Sequence, residues 1–266
     1  MDHLAERLAR RIAAAATRGD PLVVGLTGPQ GSGKSTVAAA LPPLLGARGL
    51  RTAVLSLDDL YLPKAKRQRL AREVHPLLAT RGVPGTHDVP LGLETLAALA
   101  RTGPTAIPCF EKAADDRRPA AEWSVFEGPA DVIVFEGWCV GARPQADAEL
   151  AQPVNDLEQQ RDPDGVWRRY ANAALARDYP PLFDRIGLQI LLLAPSFDVV
   201  LGWRLQQEHA LRATHDGGQS DAEIAVFIQY YERLTRHIAA EMPSRADLVV
   251  QLGSAREVVR YSTIDE

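Results

Sequence analysis

Residues Gly28-Pro29-Gln30-Gly31-Ser32-Gly33-Lys34-Ser35 carry the Gly-x4-Gly-Lys-Ser spacing between an apolar run, LVVGLT, and a helix-forming run, TVAAAL. This strand, glycine loop and helix restrict the chain to few folds. The glycines have a physical reason. Successive backbone N–H groups must turn inward around phosphate oxygens, which leaves no room for Cβ atoms and demands unusual φ values. The helix that follows adds unpaired N–H groups and the positive end of its dipole. Lys34 is placed to bridge β- and γ-phosphates, Ser35 to ligate a metal ion and Thr36 to reach the α-phosphate. The expected ligands are ATP and Mg²⁺.

Around this loop, strand-like apolar runs recur at Leu22 to Thr27, Thr52 to Leu57, Val132 to Phe135, Leu188 to Leu193 and Leu248 to Leu252, with amphipathic segments between them. Continuously apolar strands suit burial on both faces, and the spacers are long enough for crossover helices. The fold class expected is therefore α/β, a three-layer α/β/α P-loop NTPase fold with a mainly parallel five-stranded sheet. A short extra strand is read near Thr105 to Ile107. No repeat or Gly/Ser linker divides the chain, so one domain is expected over 1–266. An N-terminal helix spans about 2–18, where Leu4, Leu8 and Ile12 share a face. Two stretches break the rhythm, about 63–90 and 143–184, and read as insertions beside the site. In the second, Trp167, Tyr170, Leu175 and Tyr179 make one side of a helix that ends before Pro180 and Pro181 and serves packing.

Composition excludes several classes. The longest apolar runs fall far short of the roughly 20 residues a membrane span requires. The acids Asp2 and Glu6 are foreign to a targeting presequence. A net charge of −4 provides no global basic field for nucleic acid. Cys109 and Cys139 are too few for a disulfide framework and suit a reducing, cytoplasmic setting. The expected partner is a small-molecule substrate, with no nucleic acid or membrane and with the chain a monomer or homodimer.

Two acids follow from strand position. The second strand ends in Leu55-Ser56-Leu57-Asp58-Asp59-Leu60-Tyr61, at the carboxyl edge where parallel sheets bind ligands. Phosphoryl transfer to an alcohol needs a carboxylate that orients the hydroxyl and accepts its proton, and Asp58 is the favoured base. The run Asp131-Val132-Ile133-Val134-Phe135-Glu136 reads as a strand delivering Glu136 to the nucleotide's metal. Ser35, Asp58 and Glu136 are the metal candidates, and the roles of Asp58 and Glu136 remain interchangeable at this level.

With these residues in place, the chain resembles the phosphoribulokinase, uridine kinase and pantothenate kinase group, and within it the D-glycerate 3-kinases. The carriers are GPQGSGKST, SLDDLYLP, RGVPGTHDVPLGLETL, PCFEKAADDR, VIVFEGWCVG, VNDLE and WRLQQEHALR followed by GGQSDAEI. The resemblance implies that Asp58 is the general base and Glu136 the Walker B glutamate. It places the group's P-x-Tyr-Asp segment and substrate arginine on Pro108, Phe110, Glu111 and Arg117, so a phenylalanine and a glutamate replace the usual tyrosine and aspartate. Leu60 stands where the glycerate kinases usually have phenylalanine.

A three-carbon carboxylate acceptor needs cations to offset its charge, for which Lys112, Arg117 and Arg81 are candidates. His87 and Asp88, in GTHD, suit hydroxyl recognition from a turn, and Asp59 and Tyr61 flank the base. The resemblance places a lid over about 203–220, where Arg204 and Arg212 meet γ-phosphate charge, Arg204 as a catalytic group. A hinge is read at Gly217-Gly218, before an S-x-x-E capping box at Ser220 to Glu223. The expected activity is ATP-dependent phosphorylation of D-glycerate to 3-phosphoglycerate. Competing readings are a uridine, pantothenate or sugar kinase, for which Phe110, Tyr61 and Trp138 could stack a base, and a nucleotide-dependent regulatory switch.

Overall fold

A computed structural model describes residues 2–17, 19–214, 218 and 220–263. The strands are β1 (Leu22–Thr27), β2 (Thr52–Ser56), β3 (Gly103–Ile107), β4 (Phe110–Glu111), β5 (Asp116–Arg117), β6 (Ser124–Gly128), β7 (Val132–Gly137), β8 (Leu188–Leu193), β9 (Leu248–Leu252) and β10 (Val258–Ser262). The helices are α1 (Asp2–Ala15), α2 (Lys34–Gly46), α3 (Lys64–Glu73), α4 (Val89–Leu99), α5 (Asp156–Arg161), α6 (Val166–Arg177), α7 (Pro180–Phe183), α8 (Phe197–Thr214) and α9 (Asp221–Glu241).

The main sheet runs β10-β9-β8-β1-β7-β2. The five expected strands are present and mutually parallel. The expectation of five is corrected by β10, an antiparallel edge strand paired to β9. Its sequence, VVRYS, is short and carries a charge, as edge strands do, so it lacks the apolar run that marks the other five. The strand near Thr105 also exists, but β3 pairs with β6 in a separate hairpin-like sheet. The segment 63–90 is not irregular throughout, since it contains α3.

Alternation along the strands divides the core in two. Val24, Leu26, Val132, Val134, Ile190 and Leu192 face α1, α2 and Trp203 of α8, with Leu4, Leu8 and Ile12 of α1 fully enclosed. Val23, Leu55, Ile133, Phe135, Leu191 and Val249 face the other way, onto residues of α4, α6, α7 and α9. These are the three layers expected. Each fully buried aliphatic side chain contributes roughly 1.5–3 kcal/mol, and strands enclosed on both faces hold the rim above them rigid. Trp167, Leu175 and Tyr179 are core residues; α6 stops at Arg177, and Tyr179 caps the separate helix α7.

Candidate active site

The phosphate loop lies where β1 ends and α2 begins. Gly33 caps α2 in the left-handed region at φ 87°, a conformation costly to residues with a Cβ. Gly31 has φ 76°, and a Cβ there would stand 2.6 Å from Cβ of Trp203. The motif therefore needs glycine at position 31 both for its own turn and for the approach of α8.

Pairing of β7 beside β2 brings Ser56 opposite Glu136. Glu136 Oε1 accepts hydrogen bonds from Ser35 Oγ at 3.1 Å and Ser56 Oγ at 2.9 Å. Its Oε2 is buried and has no hydrogen-bond partner, which is expensive unless a further partner arrives. A hydroxyl and a carboxylate oxygen at the mouth of a phosphate loop form a hard-oxygen donor set of the kind Mg²⁺ prefers. Ser35, Glu136 and nucleotide phosphates thus fit that ion. Ser56 was missed in the sequence, because only strand pairing puts it against Glu136.

Asp58 leaves β2 on a 3₁₀ turn (Leu57–Leu60) capped by Ser56. Its Oδ1 accepts a hydrogen bond from Tyr61 Oη at 2.9 Å and its Oδ2 one from Lys112 Nζ, also at 2.9 Å. Burial by itself would raise its pKa, but the positive charges of Lys112 and Lys34 and these two hydrogen bonds hold it well below the usual carboxylate range. Asp59 points elsewhere, accepting from the Phe110 N–H at 2.9 Å; burial raises its pKa. It pins the β4–β5 hairpin, whose tip carries Lys112.

The remaining acceptor-side candidates divide into two groups. Arg81 and Lys112 line an open cleft of about 1330 Å³ together with Lys64, Arg204, Glu208, Phe227 and Tyr230. Arg81 pairs with Asp115, and Arg204 Nη2 pairs with Glu208 Oε2 at 2.8 Å. His87, Asp88 and Arg117 instead build the wall behind Tyr61. Arg117 donates to Asp88 Oδ2 at 3.1 Å and to the Tyr61 carbonyl at 2.8 Å, while Asp88 caps α4. The His87 ring stacks on Tyr61 at 4.7 Å, and its Nδ1 lies 2.6 Å from Tyr179 Oη. Tyr179 Oη also accepts from the Gly85 N–H at 2.9 Å. Burial lowers the His87 pKa to about 3, so the ring is neutral, and its Nε2 is buried without a hydrogen-bond partner.

Arg212 pairs with Asp221 at 2.5 Å across the α8–α9 connection. Ser220 forms the expected capping box with Glu223. Of the hinge pair, Gly218 has φ 122° and Gly217 lies outside the described residues.

The family model for methylmalonyl Co-A mutase-associated GTPase MeaB matches residues 2–61, which cover α1, the phosphate loop, β2 and the turn bearing Asp58 and end before Arg81, Lys112 and Glu136. Longer matches extend across the site. An uncharacterized kinase of Schizosaccharomyces pombe is 35% identical over 80% of this chain and 79% of its own length. The chloroplastic D-glycerate 3-kinase of Arabidopsis thaliana is 33% identical over 85% of this chain and 50% of its own. The chain belongs to the P-loop kinase family that includes D-glycerate 3-kinase. Among solved structures, a D-glycerate 3-kinase from Cryptococcus neoformans superposes with a TM-score of 0.79 at 28% identity, over 98% of this chain and 99% of that one. A kinase of this family phosphorylates an alcohol, and the carboxylates and cations described above are the groups such a transfer needs. Among the described residues, no helix is long and apolar enough to cross a membrane.

Proposed function

We propose that this kinase transfers the γ-phosphoryl group of Mg²⁺-ATP to D-glycerate, giving 3-phosphoglycerate and ADP. The observation that carries the reading is the placement of Asp58: the charge of Lys34 acts on it from the phosphate loop, and Lys112 links it to the cleft. The acceptor oxygen bonds to the γ-phosphorus as the bond from that phosphorus to the β-bridging oxygen breaks. The hydroxyl proton passes to a carboxylate oxygen of Asp58, which Tyr61 and Lys112 keep ionised and oriented. With both Asp58 oxygens engaged by those donors and Glu136 beside Ser35, Asp58 is the base and Glu136 the metal ligand. When bound, Mg²⁺ neutralises charge on the phosphates. Lys34 and the N–H groups of the loop after Pro29, through Thr36, orient the same phosphates. Arg204 stabilises charge developing on the transferred group.

The acceptor's carboxylate has Arg81, Lys112 and Lys64 on the cleft wall to meet it. The nucleoside reading is disfavoured by packing, because Tyr61, Phe110 and Trp138 are only 2%, 6% and 2% exposed and offer no free ring face to a base. We read the chain as one kinase domain of the cytoplasm, consistent with two free cysteines. The deciding experiment measures ADP release with Mg²⁺-ATP and equal concentrations of D-glycerate, uridine or pantothenate, with the product identified. Glycerate-dependent release of 3-phosphoglycerate is expected, and preference for uridine or pantothenate would overturn the acceptor assignment.

A further inference from the structure

The turn joining β9 to β10 carries a feature outside the chemistry described so far. Arg256 sits there at φ 66°, a left-handed conformation that non-glycine residues adopt at a cost. Its own N–H bonds to the Gly253 carbonyl at 3.0 Å, which sets the backbone; the side chain does something else. Nε donates to the carbonyl oxygen of Gly31 in the phosphate loop at 2.5 Å. Nη2 donates to the Trp203 carbonyl at 3.2 Å, and Nη1 to Gln206 Oε1 at 2.9 Å, both on α8. The guanidinium also lies 5.3 Å from the centroid of the Trp203 indole. In return, Trp203 Nε1 donates to the Ser254 carbonyl of the same turn at 2.6 Å. A planar, permanently charged fork is thus locked between the phosphate loop and the helix that bears Arg204, the residue next to Trp203.

We propose that Arg256 is a positioning residue for phosphoryl transfer: it fixes Gly31 against Trp203, and so sets where Arg204 stands relative to the nucleotide's phosphates. The inference rests on the reading of Arg204 as the cation that meets the transferred group. The tie is specific in geometry. Gly31 and Trp203 approach too closely for any side chain at position 31, so they form the pivot between loop and α8, and Arg256 holds both sides of it. A lysine presents its three donors from a single nitrogen and cannot span Gly31, Trp203 and Gln206 as the planar fork does.

The test uses Arg256→Gly, which accepts the left-handed turn at no steric cost, with Arg256→Lys, Arg204→Ala and the double variant Arg204→Ala/Arg256→Gly. Arg256→Gly should lower kcat by about tenfold or more, since misplacement of this kind is costly, and raise KM for ATP several-fold. KM for D-glycerate should stay within about twofold of wild type, because no Arg256 contact reaches the acceptor side. Arg256→Lys should restore little. The double variant should have the kcat of Arg204→Ala alone, because a residue acting through Arg204 has no further effect once Arg204 is gone. If the two losses multiply, or if kcat and both KM values change only in step with a fall in thermal midpoint, Arg256 is structural and the proposal fails. Full kcat in Arg204→Ala would overturn the reading of Arg204 and this inference together. ATP affinity measured by calorimetry without acceptor gives an arm independent of D-glycerate: it should weaken several-fold in Arg256→Gly, and unchanged affinity counts against the proposal even if the acceptor proves to be another alcohol.

Discussion

Lys112 Nζ and Asp58 Oδ2 are 2.9 Å apart, a contact that spans from the β4–β5 hairpin to the rim of β2 and joins the charge facing the acceptor to the proposed base. Removing the base should therefore separate chemistry from binding. Asp58→Asn is expected to lower kcat with D-glycerate by about 10²–10⁴-fold, while ATP affinity, measured by calorimetry, stays close to wild type. Loss of ATP binding in parallel would instead place Asp58 in the nucleotide site.

The same pair sets a pH dependence. Burial raises the Asp58 pKa, and Lys112 is the largest of the opposing influences, so Lys112→Ala should let the pKa climb. A base must be ionised to act, so the acid limb of the kcat profile should move to higher pH in the variant. The ratio of kcat at pH 5 to kcat at pH 8 should be lower than in wild type, as a pH-rate series would record.

Ser35 and Glu136 share a hydrogen bond of 3.1 Å, and the free Oε2 of Glu136 is buried. Glu136→Gln keeps the shape and removes the charge. The Mg²⁺ concentration for half-maximal activity should rise by about tenfold or more, with less change in KM for D-glycerate. Titration of Mg²⁺ at saturating ATP measures it.

His87 is 5% exposed and neutral, with its pKa depressed to about 3 by burial. The unfolded chain takes up a proton near pH 6.5 and the folded one does not, so this residue's contribution to stability is present above about pH 6.5 and declines as pH falls toward 3. Wild type should lose about 2 kcal/mol between pH 7 and pH 5 that His87→Asn does not lose, as compared by urea unfolding at each pH. Parallel curves for the two proteins would refute the assignment.

Arg67 stands in the basic run KAKRQR and yet has no exposed surface. It donates to the carbonyls of Leu62, Ala79 and Asp115 and pairs with the Asp115 carboxylate at 3.0 Å. Arg67→Ala strands these acceptors and should destabilise the fold by about 3 kcal/mol, measured by denaturant unfolding. An effect below about 0.5 kcal/mol, typical of a surface site, would contradict the burial.

Local chemistry wrote much of this protein into its sequence. The glycines at 31 and 33, the five apolar runs and the acids at the ends of two of them were legible because each depends on backbone conformation or on alternation along one segment. Contacts between distant segments were not. Ser56 acquires its role only when β2 lies beside β7, and Arg67 leaves the surface only because 79 and 115 fold around it. β10 is a strand because β9 offers it an edge. His87 was read from its motif alone, and only the fold sets its Nδ1 against Tyr179, 92 positions away, and its ring against Tyr61. Arg256 carries no motif at all: its three acceptors come from residues at 31, 203 and 206, and only the close approach of the phosphate loop to α8 turns a residue of an edge turn into a brace for the site. Period and propensity act over a few residues, whereas the pairing of charges and hydrogen-bond donors is settled by which strands become neighbours.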